Sequence, residues 1–254
     1  MIARVHAMTC GYLTAPLEMF IEGGAGEVRV PVPCFLVDHP RGRLVFDTGM
    51  HPAAGTDPLG RIGPVAAIFR PEMGPQEDIR SRLAALGVAP RDVRFLIQSH
   101  LHFDHAGGNE LLPDATLLVQ RREWEAGRDP DLAAANGFDA RDYDHGHALR
   151  LVDGEHDVFG DGSVVCVPTF GHTPGHQSLR VRTESGDVVL TADACYLRRN
   201  LEEMRLPPIV FDEEATRASL QRLRALRDAG ARLVFGHDPD DWTMVPQAPA
   251  LLTA

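Results

Sequence analysis

The chain has 254 residues, and its 25 Lys and Arg against 36 Asp and Glu leave a formal net charge of −11. That balance, with no basic cluster, excludes the electrostatic footprint of a nucleic-acid binder. A hydrophobic fraction of 44% is ordinary for a globular protein, and no apolar run approaches the roughly 20 residues that span a bilayer.

From the N-terminus, strand-like segments are expected at Ile2 to Met8, Val28 to Val37 and Arg43 to Phe46. The alternation of the first segment is that of a strand and not of a secretory signal, so a cytoplasmic protein is expected. Met50 to Pro75 is rich in Gly and Pro but carries an apolar patch of Ile62, Val65, Ile68 and Phe69; a loop of this length is usually functional or disordered. Ile79, Leu83 and Leu86 mark an amphipathic helix over Gln76 to Leu86 with Gly87 as its stop. Thr116 to Val119 reads as a strand and Arg121 to Ala126 as a helix, whereas residues 127 to 150 look polar and broken. Strands return at Leu149 to Val152, Val164 to Val167, Leu179 to Thr183 and Val188 to Thr191. Glu213 to Ala229 is a helix with Leu220, Leu223 and Leu226 as its stripe, and a last strand leads to His237. Strands, helix, strands, helix fits two αβ halves whose sheets face each other, in one domain over residues 1–254. Cys10, Cys34, Cys166 and Cys195 form no CxxC pair and read as small buried hydrophobes of a reducing compartment.

The run His100-Leu-His102-Phe-Asp104-His105 places three imidazoles and one carboxylate within six positions. Neutral imidazole and carboxylate are the ligands that Zn²⁺ prefers. Alternation puts His100, His102 and Asp104 on one side of an extended segment, with His105 breaking the pattern. One metal cannot easily take all four from so short a loop, whereas two adjacent metals can. Further candidates are His172, Asp193 and His237, each shortly after an apolar run, as His100 is after Val93 to Ile97. Ligands would then gather at one edge of a sheet sandwich.

The ordered set of HxHxDH, His172, Asp193 and His237 resembles the metallo-β-lactamase superfamily. The longer pieces Asp47-Thr48-Gly49, Ser99-His-Leu-His-Phe-Asp-His-Ala-Gly-Gly-Asn109, His172-Thr-Pro-Gly-His-Gln-Ser178, Asp193-Ala-Cys-Tyr196 and Phe235-Gly-His-Asp238 resemble its N-acyl-homoserine lactonases, the quorum-quenching branch. The resemblance implies a four-layer αββα sandwich and two divalent ions, with zinc the expected metal. His100, His102 and His172 would bind one ion, Asp104, His105 and His237 the other, and Asp193 would bridge them. It also implies attack on a lactone carbonyl by a metal-bridging hydroxide, with Tyr196 as oxyanion donor and Asp104 as proton source for the leaving alkoxide.

Asp47 would be one carboxylate too many for direct ligation, so a hydrogen bond to a ligating imidazole is the better expectation; His176 is expected to support the site in a similar way or to be structural. His145, His147 and His156 lie in polar surroundings and read as solvated. Candidates to receive an acyl chain are Met19, Phe20, Phe103, Ile68 and Phe69, together with Ile62 and Val65. The patch in the long loop also suits contact between two copies in a homodimer. The alternatives are a hydrolase of the same superfamily acting on another lactone, an ester, a thioester or a β-lactam, and a non-catalytic metal-binding module. The acidic Asp238-Pro-Asp-Asp-Trp242 counts against an anionic glutathione thioester.

Overall fold

The computed structural model describes residues 1–254. Period-two alternation places successive side chains of a strand on opposite faces, and here both faces are buried. Phe95 and Ile97 point to one side of their strand while Leu96 points to the other, and Phe35 and Val37 alternate with Cys34 and Leu36 in the same way. The strands are β1 Arg4–Pro16, β2 Glu27–Asp38, β3 Arg43–Phe46, β4 Arg70–Glu72, β5 Val93–Ile97, β6 Thr116–Gln120, β7 Leu149–Val152, β8 His156–Asp157, β9 Val164–Pro168, β10 Gln177–Thr183, β11 Gly186–Leu190 and β12 Arg232–Val234. They form a seven-stranded sheet in the order β4-β1-β2-β3-β5-β6-β7 and a five-stranded sheet in the order β12-β11-β10-β9-β8.

The two sheets face each other across one apolar layer. Phe46, Phe95, Ile97 and Leu118 of the first sheet meet Val164, Leu179, Val188, Leu190 and Val234 of the second. Behind the first sheet lie Ile79 and Leu83 of the helix Ile79–Ala85. Behind the second lie Leu220 and Leu223 of the helix Glu213–Asp228. This is the αββα sandwich.

Strand direction positions the site. β3, β5, β6 and β7 run parallel, with Phe46 level with Ile97. β11 and β12 also run parallel, with Leu190 level with Val234. The segments after β3, β5, β9, β11 and β12 therefore emerge along one edge of the sandwich. Hydrogen bonds tie the sheets together there: Gln177 N–H donates to the Ser99 carbonyl at 3.0 Å, and Gln177 Nε2 donates to the Gln98 carbonyl at 2.8 Å.

Several local expectations are corrected. Phe103–Ala106 is a helical turn, so Asp104 does not continue the alternation of His100 and His102; the turn swings Asp104 and His105 to a second cluster. Residues 127 to 150 are not simply broken, since they hold the helices Pro130–Asn136 and Ala140–Tyr143. Asp129 and Asp139 cap them by accepting from Asp131 N–H and Arg141 N–H at 2.9 Å each. The Gly/Pro-rich stretch also contains a short helix, Pro58–Ile62, and β4 pairs with β1. His147 is buried, not solvated, and its Nε2–H donates to the Leu112 carbonyl at 3.1 Å.

Phe46 is 1% exposed between the two sheets. Phe46→Ala is expected to cost ~3–5 kcal/mol, the usual cost of emptying an aromatic core site, read from urea unfolding. His147→Ala should cost about 0.5–1.5 kcal/mol, the net worth of one hydrogen bond, because the Leu112 carbonyl keeps its bond from Ala115 N–H, and the metal content of the folded protein should stay at its wild-type value.

Candidate metal centre

Seven side chains meet where the strand ends converge. His100 and His102 follow β5, Asp104 and His105 sit in the helical turn, and His172 lies between β9 and β10. Asp193 lies in a one-turn helix after β11, and His237 follows β12. They fall into two groups, His100, His102, His172 and Asp193, and Asp104, His105 and His237, with the ligand atoms of each group within 4.8 Å of one another. All are buried except His102, which is partly exposed.

All five imidazoles turn one nitrogen outward to an oxygen and the other inward. His105 Nδ1–H donates to Asp47 Oδ2 at 2.9 Å, and His237 Nδ1–H to the Pro31 carbonyl at 2.8 Å. His102 uses its other nitrogen: Nε2–H donates to the Asn136 carbonyl at 2.8 Å. His100 Nδ1 lies 2.9 Å from Ser99 Oγ, and His172 Nδ1 lies 3.2 Å from the Tyr196 hydroxyl. Each outer nitrogen thus has an oxygen partner, so in the neutral ring the inner nitrogen is the one left with a lone pair. A hydrogen bond on one ring nitrogen sets the tautomer of the other. The inner nitrogens crowd together: His102 Nδ1 is 2.9 Å from His100 Nε2 and 3.1 Å from His172 Nε2.

Asp193 stands between the groups. Its Oδ1 is 3.1 Å from His105 Nε2 and 3.2 Å from His237 Nε2. Its Oδ2 is 3.4 Å from His172 Nε2 and 3.6 Å from His100 Nε2. Asp104 Oδ2 is 3.5 Å from His237 Nε2.

Electrostatics divide along the same line. Burial, with the neighbouring imidazoles, holds His100 and His172 well below the usual histidine range, so both are neutral. His105 is also buried, but Asp193, Asp104 and Asp47 outweigh that and raise it well above. Burial and the carboxylates Asp193 and Asp104 raise the Tyr196 phenol well above its ordinary value, so it keeps its proton.

Backbone strain lies beside the centre. Asp47 has φ 58° and Ala192, next to Asp193, has φ 45°. Such conformations persist in non-glycine residues only where the surroundings enforce them. Asp47 is over-determined: its Oδ1 accepts from Ser99 N–H at 2.7 Å and Gln98 Nε2 at 3.0 Å, and its Oδ2 accepts from Ser99 Oγ–H at 2.7 Å as well as from His105. Gly236 is required for close approach, since a Cβ there would lie 2.4 Å from the Ala192 carbonyl oxygen and 3.2 Å from Asp193 Oδ1.

A divalent cation fits these residues. His105 Nε2 and Asp193 Oδ1 are buried without a hydrogen-bond partner. A cation between them would satisfy both, and imidazole with carboxylate is the donor set that such ions take. A profile of the metallo-β-lactamase superfamily matches residues 28–237. The chain belongs to that superfamily, in its N-acyl homoserine lactonase family. It is 40% identical to the N-acyl homoserine lactonase AttM of Azorhizobium caulinodans over 236 residues, 90% of this chain and 89% of that one. It is 33% identical to the N-acyl homoserine lactonase AiiA of Bacillus thuringiensis subsp. kurstaki over 219 residues, 83% of this chain and 82% of that one. The fold superimposes on an N-acyl homoserine lactone hydrolase with N-hexanoyl-L-homoserine at its catalytic metal centre, with a TM-score of 0.89 and 29% identity over 99% of this chain and 100% of that one. Divalent metal is therefore expected of this superfamily member.

The residues expected to support the site lie beside it. Asp47 holds His105 as above. His176 lies beside the centre: its Nε2 accepts from Asp193 N–H at 3.1 Å and its Nδ1 bonds Thr169 Oγ1 at 2.9 Å. Burial lowers His176 to about 3, so it stays neutral. A cavity of about 930 Å³ opens onto the centre, and Met19, Phe20, Ile68, Phe69 and Phe103 all line it beside Tyr196. Phe20 packs edge-on against both Phe69 and Tyr196, with ring centroids 6.0 and 5.5 Å away.

Sequence reading missed three kinds of support. The Pro31 and Asn136 carbonyls that orient His237 and His102 are backbone groups with no residue-type signal. Phe138, 5.4 Å from His102 between ring centroids, lies in the region that looked broken. Glu123 is fully buried, and burial pushes its carboxyl up to about 7 against hydrogen bonds from Gly175, Thr173 and Leu101; a lone Glu in a helical pattern reads as solvated.

Asp47→Asn keeps the shape but puts an amide against groups that all donate. Divalent-metal affinity should fall about 10–100-fold, as when other groups that orient ligands are lost, in titrations of the metal-free protein.

Proposed function

We propose that this protein is a dinuclear metal-dependent lactonase that adds water across the ring ester of an N-acyl-homoserine lactone and releases the open hydroxy acid. The observation that carries the reading is the inward aim of five imidazole nitrogens around a carboxylate that lies against both groups. The named activity of the AttM and AiiA relatives supports the substrate class. His100, His102 and His172 would hold one ion, Asp104, His105 and His237 the other, and Asp193 both. Zinc suits this set of nitrogen and oxygen donors. When bound, the two ions supply Lewis acidity, lowering the pKa of a water toward ~7 and polarising an ester carbonyl.

The remaining chemistry belongs to the chain. With its Nε2 lone pair turned inward, a neutral His172 carries its proton on Nδ1. That N–H donates to the Tyr196 oxygen at 3.2 Å and leaves the Tyr196 O–H free to donate elsewhere. A buried phenol with a raised pKa is a donor, not an acid, and suits the oxyanion that grows on the ester carbonyl. Asp104, beside His237, is the candidate to take the proton released by the attacking water and pass it to the departing alkoxide. The apolar wall of Met19, Phe20, Ile68, Phe69 and Phe103 would take the acyl chain and exclude water from the reacting face. We read the chain as one cytoplasmic domain, with its four cysteines free and buried. The exposed Leu59, Ile68 and Ile209 suit a homodimer contact. No helix is long and apolar enough to cross a membrane.

A panel of lactones of varied acyl length, run beside esters, thioesters and β-lactams, tests the substrate class; faster turnover of any other class would move the assignment. Asp193→Ala should abolish turnover and lower the metal content from two ions per chain, by elemental analysis. Tyr196→Phe should lower kcat by roughly ten- to a thousand-fold, the scale of losing one oxyanion donor, with metal content unchanged and KM little altered. Full kcat in that variant would remove Tyr196 from the chemistry.

A further inference from the structure

Glu123 lies in the first turn of the helix Arg121–Arg128, is 0% exposed, and forms no ion pair. A buried carboxylate without a cation is costly unless hydrogen bonds replace its water. Glu123 has three such bonds, and all come from the metal-binding segments. Its Oε1 accepts from Leu101 N–H at 3.2 Å. Its Oε2 accepts from Thr173 Oγ1–H at 3.0 Å and Gly175 N–H at 2.6 Å. Leu101 sits between His100 and His102, and Thr173 and Gly175 follow His172. One carboxylate thus joins two loops that are some seventy residues apart in the chain and that carry all three imidazoles of one group.

The approach is close on the backbone side too. A Cβ on Gly175 would lie 2.4 Å from the Glu123 nitrogen, so the His172 loop rests directly on the helix. The other group is held by different partners, Asp47 at His105 and the Pro31 carbonyl at His237.

We propose that Glu123 is a positioning residue that sets the spacing of His100, His102 and His172 and so tunes the affinity of that half of the centre for a divalent ion. The proposal rests on the reading of that half as an ion site. Glutamine cannot replace the carboxylate: its single acceptor oxygen serves one side, and its amide N–H₂ would face a donor on the other. Distances to a bound ion tolerate only a few tenths of an ångström, so a small shift of either loop weakens the site.

The test measures Zn²⁺ binding by calorimetric titration of metal-free protein in two backgrounds. His237→Ala leaves the His100, His102 and His172 group whole, and adding Glu123→Gln there should weaken the remaining ion about 10–100-fold, as for other groups that orient ligands. His172→Ala leaves the His105 and His237 group whole, and adding Glu123→Gln there should change affinity by less than about threefold. An equal loss in both backgrounds, or no loss in either, overturns the proposal. If Glu123→Gln does not fold, Thr173→Val removes one of the three bonds at constant shape, and the same selective loss, smaller in size, is expected; its absence also overturns the proposal. Wild-type protein that takes up fewer than two ions would instead overturn the dinuclear reading itself, which separates the two failures.

Discussion

The structure is organised around a set of lone pairs that have nothing of their own to bond. Five imidazole nitrogens and two carboxylates face one buried volume, with His102 Nδ1 within 3.1 Å of two other ring nitrogens. Around the neutral His100, His102 and His172 such an arrangement is unfavourable without a cation, because acceptors repel acceptors and burial removes the water that would separate them. The surroundings enforce it through outward bonds at every ring. The positive φ angles of Asp47 and Ala192 and the bare Cα of Gly236 are local costs of holding that geometry.

The two sheets make this enforcement rigid. Parallel neighbours in each sheet end together, so each crossover delivers a short segment to the same edge. Gln177 stitches the segment after β5 to the start of β10 across the sandwich. Below this edge, the large apolar layer between the sheets fixes the strand ends; above it, the short helices and turns of residues 61–69 and 127–143 wall the cavity. The centre therefore depends on the edge of the sandwich, and the shape of the cavity depends on the loops.

The outward bonds differ in kind across the centre. Asp47 is itself a carboxylate and lies against His105, whose raised pKa shows how strongly acidic that side is. On the other side His100 and His172 meet hydroxyl oxygens of Ser99 and Tyr196 and remain neutral. In the proposed mechanism the bond between His172 and Tyr196 would have a double use, since the imidazole proton that frees Nε2 would also leave the tyrosine proton free to act on a bound ester.

Much of the site was legible in the chain. Each group of candidate ligands follows an apolar run, and burial of both sheet faces makes those runs stand out. The four-layer fold was legible for the same reason, as was the helix Glu213–Asp228 from its leucine spacing. Alternation failed at Asp104, because one helical turn over Phe103–Ala106 overrides period two and needs only four residues to do so. The helices near residues 130–143 were hidden by their polar, capped composition, and burial of His147 depends on the distant Leu112 carbonyl. The amino-acid sequence by itself determined which side chains can bind a cation and in what order they come, because residue type and strand period are local properties. Only the tertiary structure decided which nitrogen of each ring turns inward, that Asp193 faces both groups, and that Glu123 joins two ligand loops, because backbone carbonyls and packed helices from far along the chain set those orientations.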